Sequence, residues 1–148
     1  MSLTKNLMSM FLKRKEISIK RMEQKYIKGD IVMYDNKIHT IIDKLELNNY
    51  ELSYIEHPVH QLELSGVLLT PEILEKNGWD FIGYKMDFSG SMFNIYSKHD
   101  ILPDLYYYYA TKDFSVSICG KVALPNMKYV HELQHFLFGI GLNSEMEV

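Results

Sequence analysis

The segment Lys128-Tyr129-Val130-His131-Glu132-Leu133-Gln134-His135-Phe136-Leu137 contains a His-Glu-x-x-His pattern within what reads as a helix. Residues four apart share a helix face, so His131 and His135 could offer ring nitrogens to one Zn²⁺ while Glu132 served as general base on the metal-bound water. That chemistry would make the chain a zinc-dependent hydrolase. Two imidazoles leave it one ligand short, because a catalytic zinc takes three protein ligands and a water. The extended motif draws its third ligand from a histidine six residues after the second, behind a glycine. Here Gly141 holds that position, and the glycines stand at 139 and 141 rather than 138. Glu145, then Glu147, are the late candidates, on a tail that Gly139 and Gly141 should already have turned out of the helix. The reading we prefer is that Tyr129, Val130, Leu133, Phe136, Leu137 and Ile140 form an apolar stripe with both histidines on its flank. On that reading the imidazoles border a core, no residue is catalytic and no cofactor is required.

Two other groups of side chains could bind rather than react. Residues 1–30 carry eight Lys/Arg against three Asp/Glu, residues 31–148 eight against sixteen, within a net charge of -3. The basic cluster Lys13, Arg14, Lys15, Lys20 and Arg21 could touch phosphate or an anionic partner surface, whereas the acidic body would repel a polyanion. A protein is therefore the first expected partner and a nucleic acid the second. Tyr106 to Tyr109 in a strand would send two rings to each face, one pair into a core and the other onto an aromatic platform. Tyr106 and Tyr108 are assigned to that platform. His57 and His60 flank Pro58 without an acidic or cysteine partner beside them, which reads as a surface loop. Trp79 reads as core packing.

These groups sit on elements that local signals mark out. A chain of 148 residues is long enough to bury a core without a disulfide or structural metal, as one domain or two small units sharing a core. Its single Cys119 lies in an apolar run and suggests no oxidising compartment. No apolar run reaches membrane-spanning length, and Met1 to Leu12 is too interrupted by polar residues to read as a signal peptide, so a cytoplasmic protein without membrane contact is expected. Leu3, Leu7, Met8, Met10, Phe11 and Leu12 can line one side of a short helix, and residues 1–21 look appended to a body that begins near Tyr26. From Gly29-Asp30 onward short strands and tight turns alternate: Ile31 to Tyr34, a turn at Asp35-Asn36, Lys37 to Ile42, and Tyr50 to Glu56. This pattern suits a small SH3-like barrel. Thr70-Pro71-Glu72 through Asn77-Gly78 is a short helix with an N-cap, a proline at its first position and a glycine past its end. Phe81 to Met86, Met92 to Ser97, Leu105 to Ala110 and Phe114 to Cys119 read as four strands of an antiparallel meander, with Gly120 to Asn126 as the connection to the last helix.

Three blocks carry a resemblance: Lys28-Gly29-Asp30-Ile31-Val32, Leu68-Leu69-Thr70-Pro71-Glu72-Ile73-Leu74-Glu75-Lys76-Asn77-Gly78-Trp79, and Lys128-Tyr129-Val130-His131 to Gln134. Together they resemble a family of small uncharacterised proteins of Bacteroides and related gut bacteria, frequent in their phages, prophages and mobile elements. The similarity runs from about residue 22 to the end. The family's tail pattern is Tyr-Val-His-x-Leu-Gln, in which the positions of Glu132 and His135 are not fixed, so the resemblance adds nothing to the zinc reading. It implies no activity, and for a phage-encoded chain it implies the host-cell cytoplasm.

The expectation is an α+β protein. Residues 1–25 form a basic N-terminal helical arm, 26–68 an SH3-like β unit, and 69–148 an antiparallel sheet with a linking helix and a C-terminal helix that packs on it. The expected role is that of a non-enzymatic accessory protein contacting a protein or nucleic-acid partner; the oligomeric state is left open.

Overall fold

Short apolar runs separated by Asn, Asp and Gly at left-handed backbone positions build a succession of antiparallel hairpins. The computed structural model describes residues 23–148. The expectations placed on the arm, including its basic side chains Lys13, Arg14, Lys15, Lys20 and Arg21, lie outside the described residues. Strand β1 (Ile31–Tyr34) turns through Asp35 and Asn36, whose φ angles of 49° and 60° suit a tight two-residue hairpin, into β2 (Lys37–Lys44). Ile31 pairs with Thr40 and Tyr34 with Lys37. Strands β3 (Asn49–Leu52) and β4 (Val59–His60) extend the sheet on one side, and β5 (Ser65–Gly66) joins β1 on the other, giving the order β4-β3-β2-β1-β5. A register shift between Ile41 and Asp43 bends β2. The sheet therefore curls into a half-barrel around Tyr26, Val32, Ile41, Tyr50, Leu52, Val59 and Leu64. The third strand is shorter than its sequence run, because Tyr54 takes a positive φ of 63° just past Leu52.

Helix α1 (Pro71–Lys76) forms where the sequence places it. Thr70 Oγ1 accepts a hydrogen bond from the Ile73 amide at 3.2 Å, Pro71 occupies the first turn, and Asn77-Gly78 ends the helix. Five strands follow: β6 (Asp80–Met86), β7 (Met92–Ser97), β8 (Asp104–Tyr108), β9 (Asp113–Ile118) and β10 (Lys121–Met127), a meander in the order β10-β9-β8-β7-β6. The segment Gly120 to Asn126, expected as a connection, is thus mostly a fifth strand. Two register shifts against β9 break its alternation, and Pro125 is tolerated because β10 lies at an edge.

Helix α2 (Val130–Gly139) then covers one face of this sheet, as the sequence leads one to expect. Val130, Leu133 and Leu137 pack with Leu105, Phe114, Val116 and Met127 of the sheet, and with Ile31, Val67 and Leu69 from the first half of the chain. Trp79 and Leu74 close the same core. The helix stops where Gly141 adopts φ +78° and the Leu142 amide reaches back to the Leu137 carbonyl at 2.9 Å. The described chain is mostly β with two helices. None of its helices is long and apolar enough to cross a membrane.

Candidate functional site

The start of α2 spends its acidic residue on the backbone. Glu132 Oε1 accepts from the Lys128 amide at 3.2 Å and the Tyr129 amide at 3.0 Å, amides that the helix itself leaves unpaired. The carboxylate that would have activated water is engaged in closing the first turn. Gln134, one turn later, is buried and grips the Gly29 to Ile31 segment. Its Oε1 accepts from the Ile31 amide at 2.9 Å, while its Nε2 donates to the Gly29 carbonyl at 2.9 Å and the Ser144 carbonyl at 3.1 Å. His135 grips the same segment through Asp30, with Nε2 2.5 Å from Oδ2 of the buried carboxylate. That oxygen also accepts from the Ile27 amide at 2.8 Å.

His131 is buried among rings. Its centroid lies 5.0 Å from Tyr26, 5.7 Å from Tyr129 in a stacked arrangement, and 5.6 Å from His135. Among the described residues, neither His131 Nδ1 nor the Tyr26 hydroxyl has a hydrogen-bond partner. Burial pushes His131 below the ordinary imidazole range, with Asp30 pulling the other way, and pushes the Tyr26 phenol up to about 12. His131 is therefore held as a neutral ring.

The tail that could supply a third zinc ligand runs along α1. Glu145 lines a shallow groove with Lys76, Asn77 and Asn143, and the Glu147 amide donates to Asn77 Oδ1 at 2.8 Å. Among the described residues, no three His, Cys, Asp or Glu side chains gather into a metal-binding set. His131 and His135 are brought together; Glu145 does not complete a set with them. His60 caps a short turn by accepting from the Leu62 amide at 3.1 Å, and Trp79 is buried in the core.

The tyrosine run divides between two faces. Tyr107 packs toward the α2 core, 4.8 Å from the Phe114 ring. Tyr106 and Tyr108 turn the other way and bracket Phe93 of the neighbouring strand, with centroids 4.6 and 5.1 Å from it. Phe93 and Ile95 are buried on this outer face yet belong to neither hydrophobic core. Asp113 stands opposite Tyr108 on the neighbouring strand, and burial raises the Tyr108 pKa, with the charges of Asp87, Tyr106 and Asp113 adding to the rise. Serine hydrogen bonds hold Asp87 below the usual carboxylate range, so it stays charged at neutral pH. The result is an aromatic surface flanked by Asp113 on one side and Lys85 on the other.

The sequence singled out Tyr106 and Tyr108 on one face and marked β6 as a strand, but not Phe93 between the two rings or the exposed apolar side chains of β6. Phe81, Ile82, Tyr84 and Met86 of β6 are all exposed. Their signal was present, because a strand with large apolar residues at both odd and even positions has no polar face to give to water. The pairing of Asp30 with His135 and that of Gln134 with Gly29 and Ile31 had no such signal, since these contacts join positions about a hundred residues apart.

Compared with known proteins, the chain matches no family model, no curated protein and no solved structure.

Proposed function

We propose that this chain is a non-enzymatic binding protein that receives a polypeptide partner on the outer face of its second sheet, over Tyr106, Phe93 and Tyr108. The observation that carries the reading is that cluster of three rings on a face apart from both cores. Tyrosines give an interface large contact area at small entropy cost, with a hydroxyl left to accept or donate. Asp113 on one side of the rings and Lys85 on the other favour a polypeptide with charges of both signs over a phosphate backbone. At the first sheet, the curl and the Gly29-Asp30 entry support an SH3-like arrangement, a fold that itself implies no chemistry. The resemblance of the three sequence blocks supports an accessory role in a phage or mobile element of gut bacteria, by association rather than mechanism.

Affinity capture from cells that carry the gene tests this reading, with wild type compared against Tyr106→Thr/Tyr108→Thr. A protein retained by wild type and lost with the variant is the expected outcome. An oligonucleotide that binds with a steep salt dependence, and is lost on deleting residues 1–21, would replace the proposal with nucleic-acid binding. Retention unaffected by the tyrosine changes would move the surface elsewhere.

A further inference from the structure

Strand β6 ends the second sheet, and among the described residues nothing pairs with its outer edge. Such an edge presents a row of backbone donors and acceptors to any strand that approaches. Its side chains add apolar surface, with Phe81 51%, Ile82 59%, Tyr84 67% and Met86 63% exposed. The only charged residues of the strand are Asp80 and Lys85.

We propose that the occupant of this edge is a second copy of the chain, with β6 paired antiparallel to β6 about a two-fold axis between Ile82 and Gly83. The choice of register follows from the sequence of the strand. In a symmetric antiparallel pair the two position numbers of every partnership have the same sum. Setting the strand's one cation opposite its one anion selects the register in which Asp80 faces Lys85. That same register sets Phe81 opposite Tyr84, an aromatic cross-strand pair, and each pair occurs twice because the contact is isologous.

Partners across a ladder must also lie on the same face of the sheet. In a regular strand Asp80 and Lys85 would point to opposite faces, and so would Phe81 and Tyr84, since both separations are odd. A register shift between Phe81 and Gly83 changes this. Asp80 pairs with Ser97 and Lys85 with Phe93, four apart on β7 and hence on one face. Phe81 pairs with Tyr96 and Tyr84 with Asn94, two apart and together on the other. The bulge therefore makes the strand complementary to itself. Bulges and lysines on edge strands ordinarily discourage pairing. Here the lysine meets a carboxylate of the second copy, and the bulge brings each pair to a common side. At the axis Gly83 lies in open space and sets no side chain against Ile82 of the second copy. The product is a continuous sheet of ten strands. This inference is independent of the aromatic face proposed above, which the pairing leaves open.

Sedimentation equilibrium of the full chain over a range of concentrations tests it. Wild type should show a monomer–dimer equilibrium. Asp80→Lys and Lys85→Asp should each weaken the dimer about tenfold or more, because each creates two like-charge pairs. The combined variant Asp80→Lys/Lys85→Asp should dimerise again, and the two single variants mixed should form a heterodimer, since their charges then match. A wild type that stays monomeric throughout overturns the proposal. So does a dimer indifferent to these exchanges, which would locate the contact elsewhere. Should a charge variant lose its fold by circular dichroism, Tyr84→Lys gives the deciding measurement at an exposed position: a monomer is expected, and an unchanged dimer rejects the register.

Discussion

His135 Nε2 lies 2.5 Å from Asp30 Oδ2, joining the last helix to the entry of the first strand. The carboxylate is almost wholly buried, while the imidazole is 35% exposed. Each group thus has a different alternative partner when the other is removed. Asp30→Ala should lower the unfolding free energy by about 2–3 kcal/mol, because the Ile27 amide loses its acceptor along with the histidine. His135→Ala should cost less, about 1 kcal/mol, since water can reach part of the site. Urea denaturation of both single variants and the double variant should give a coupling of about 0.5–1 kcal/mol. Purely additive energies would show that the contact contributes nothing of its own.

Gln134 makes a stronger demand on its position. Its one side chain satisfies the Ile31 amide and two carbonyls, and the Ile31 amide is buried. Gln134→Leu keeps the volume but strands these groups, at an expected cost of about 2–4 kcal/mol. Gln134→Glu retains the acceptor for Ile31 and loses both donors, so it should fall between wild type and the leucine variant. Equal stability of the two variants by thermal or urea unfolding would contradict this ordering.

Much of this arrangement was readable from local pattern, and the parts that were not have a common physical cause. The hairpin at Asp35-Asn36, the capped helix from Thr70 and the stop at Gly141 follow from backbone preferences of adjacent residues, and all appear in the structure. Strand β10 was hidden because Pro125 and two register shifts erased its alternation. The His-Glu-x-x-His match could not show the roles of its residues, since spacing on a helix shows which side chains share a face but not what they meet there. Glu132 meets backbone amides and His135 meets Asp30. The three sequence blocks that stood out turn out to be neighbours in space. Tyr129 forms a bridge with Leu68, the Leu69 amide bonds to the Lys128 carbonyl, and Gln134 holds Gly29 and Ile31.

The close fit at that junction gives a steric prediction. A Cβ on Gly66 would fall 2.6 Å from the Tyr129 ring, inside any real contact distance. Gly66→Ala should therefore destabilise by about 1–3 kcal/mol through overpacking. Tyr129→Ala, costly alone, should relieve most of that penalty in the double variant, since the Cγ and Cδ1 atoms at 2.6 Å are gone. Equal penalties for Gly66→Ala in the two backgrounds, measured by thermal unfolding, would place the strain outside this contact.

The buried His131 predicts a dependence of stability on pH whose sign can be worked out. Burial holds its native pKa below the ordinary value, and Asp30 and Glu132 offset this only in part against His135 and Lys25. In the unfolded chain the ring titrates near 6.5. As the pH falls through that value the unfolded chain binds a proton that the native state excludes. Stability, complete above the unfolded value, therefore declines until the pH reaches the lower native pKa. Each unit of pH within that window removes at most about 1.4 kcal/mol for one such group. His131→Phe keeps a ring against Tyr26 and Tyr129, removes the unpartnered Nδ1 and abolishes this titration. Urea midpoints measured from about pH 7.5 to 5.5 should fall more steeply for wild type than for the variant, the remaining histidines being common to both. Parallel curves would falsify the assignment of a neutral, buried imidazole at this position.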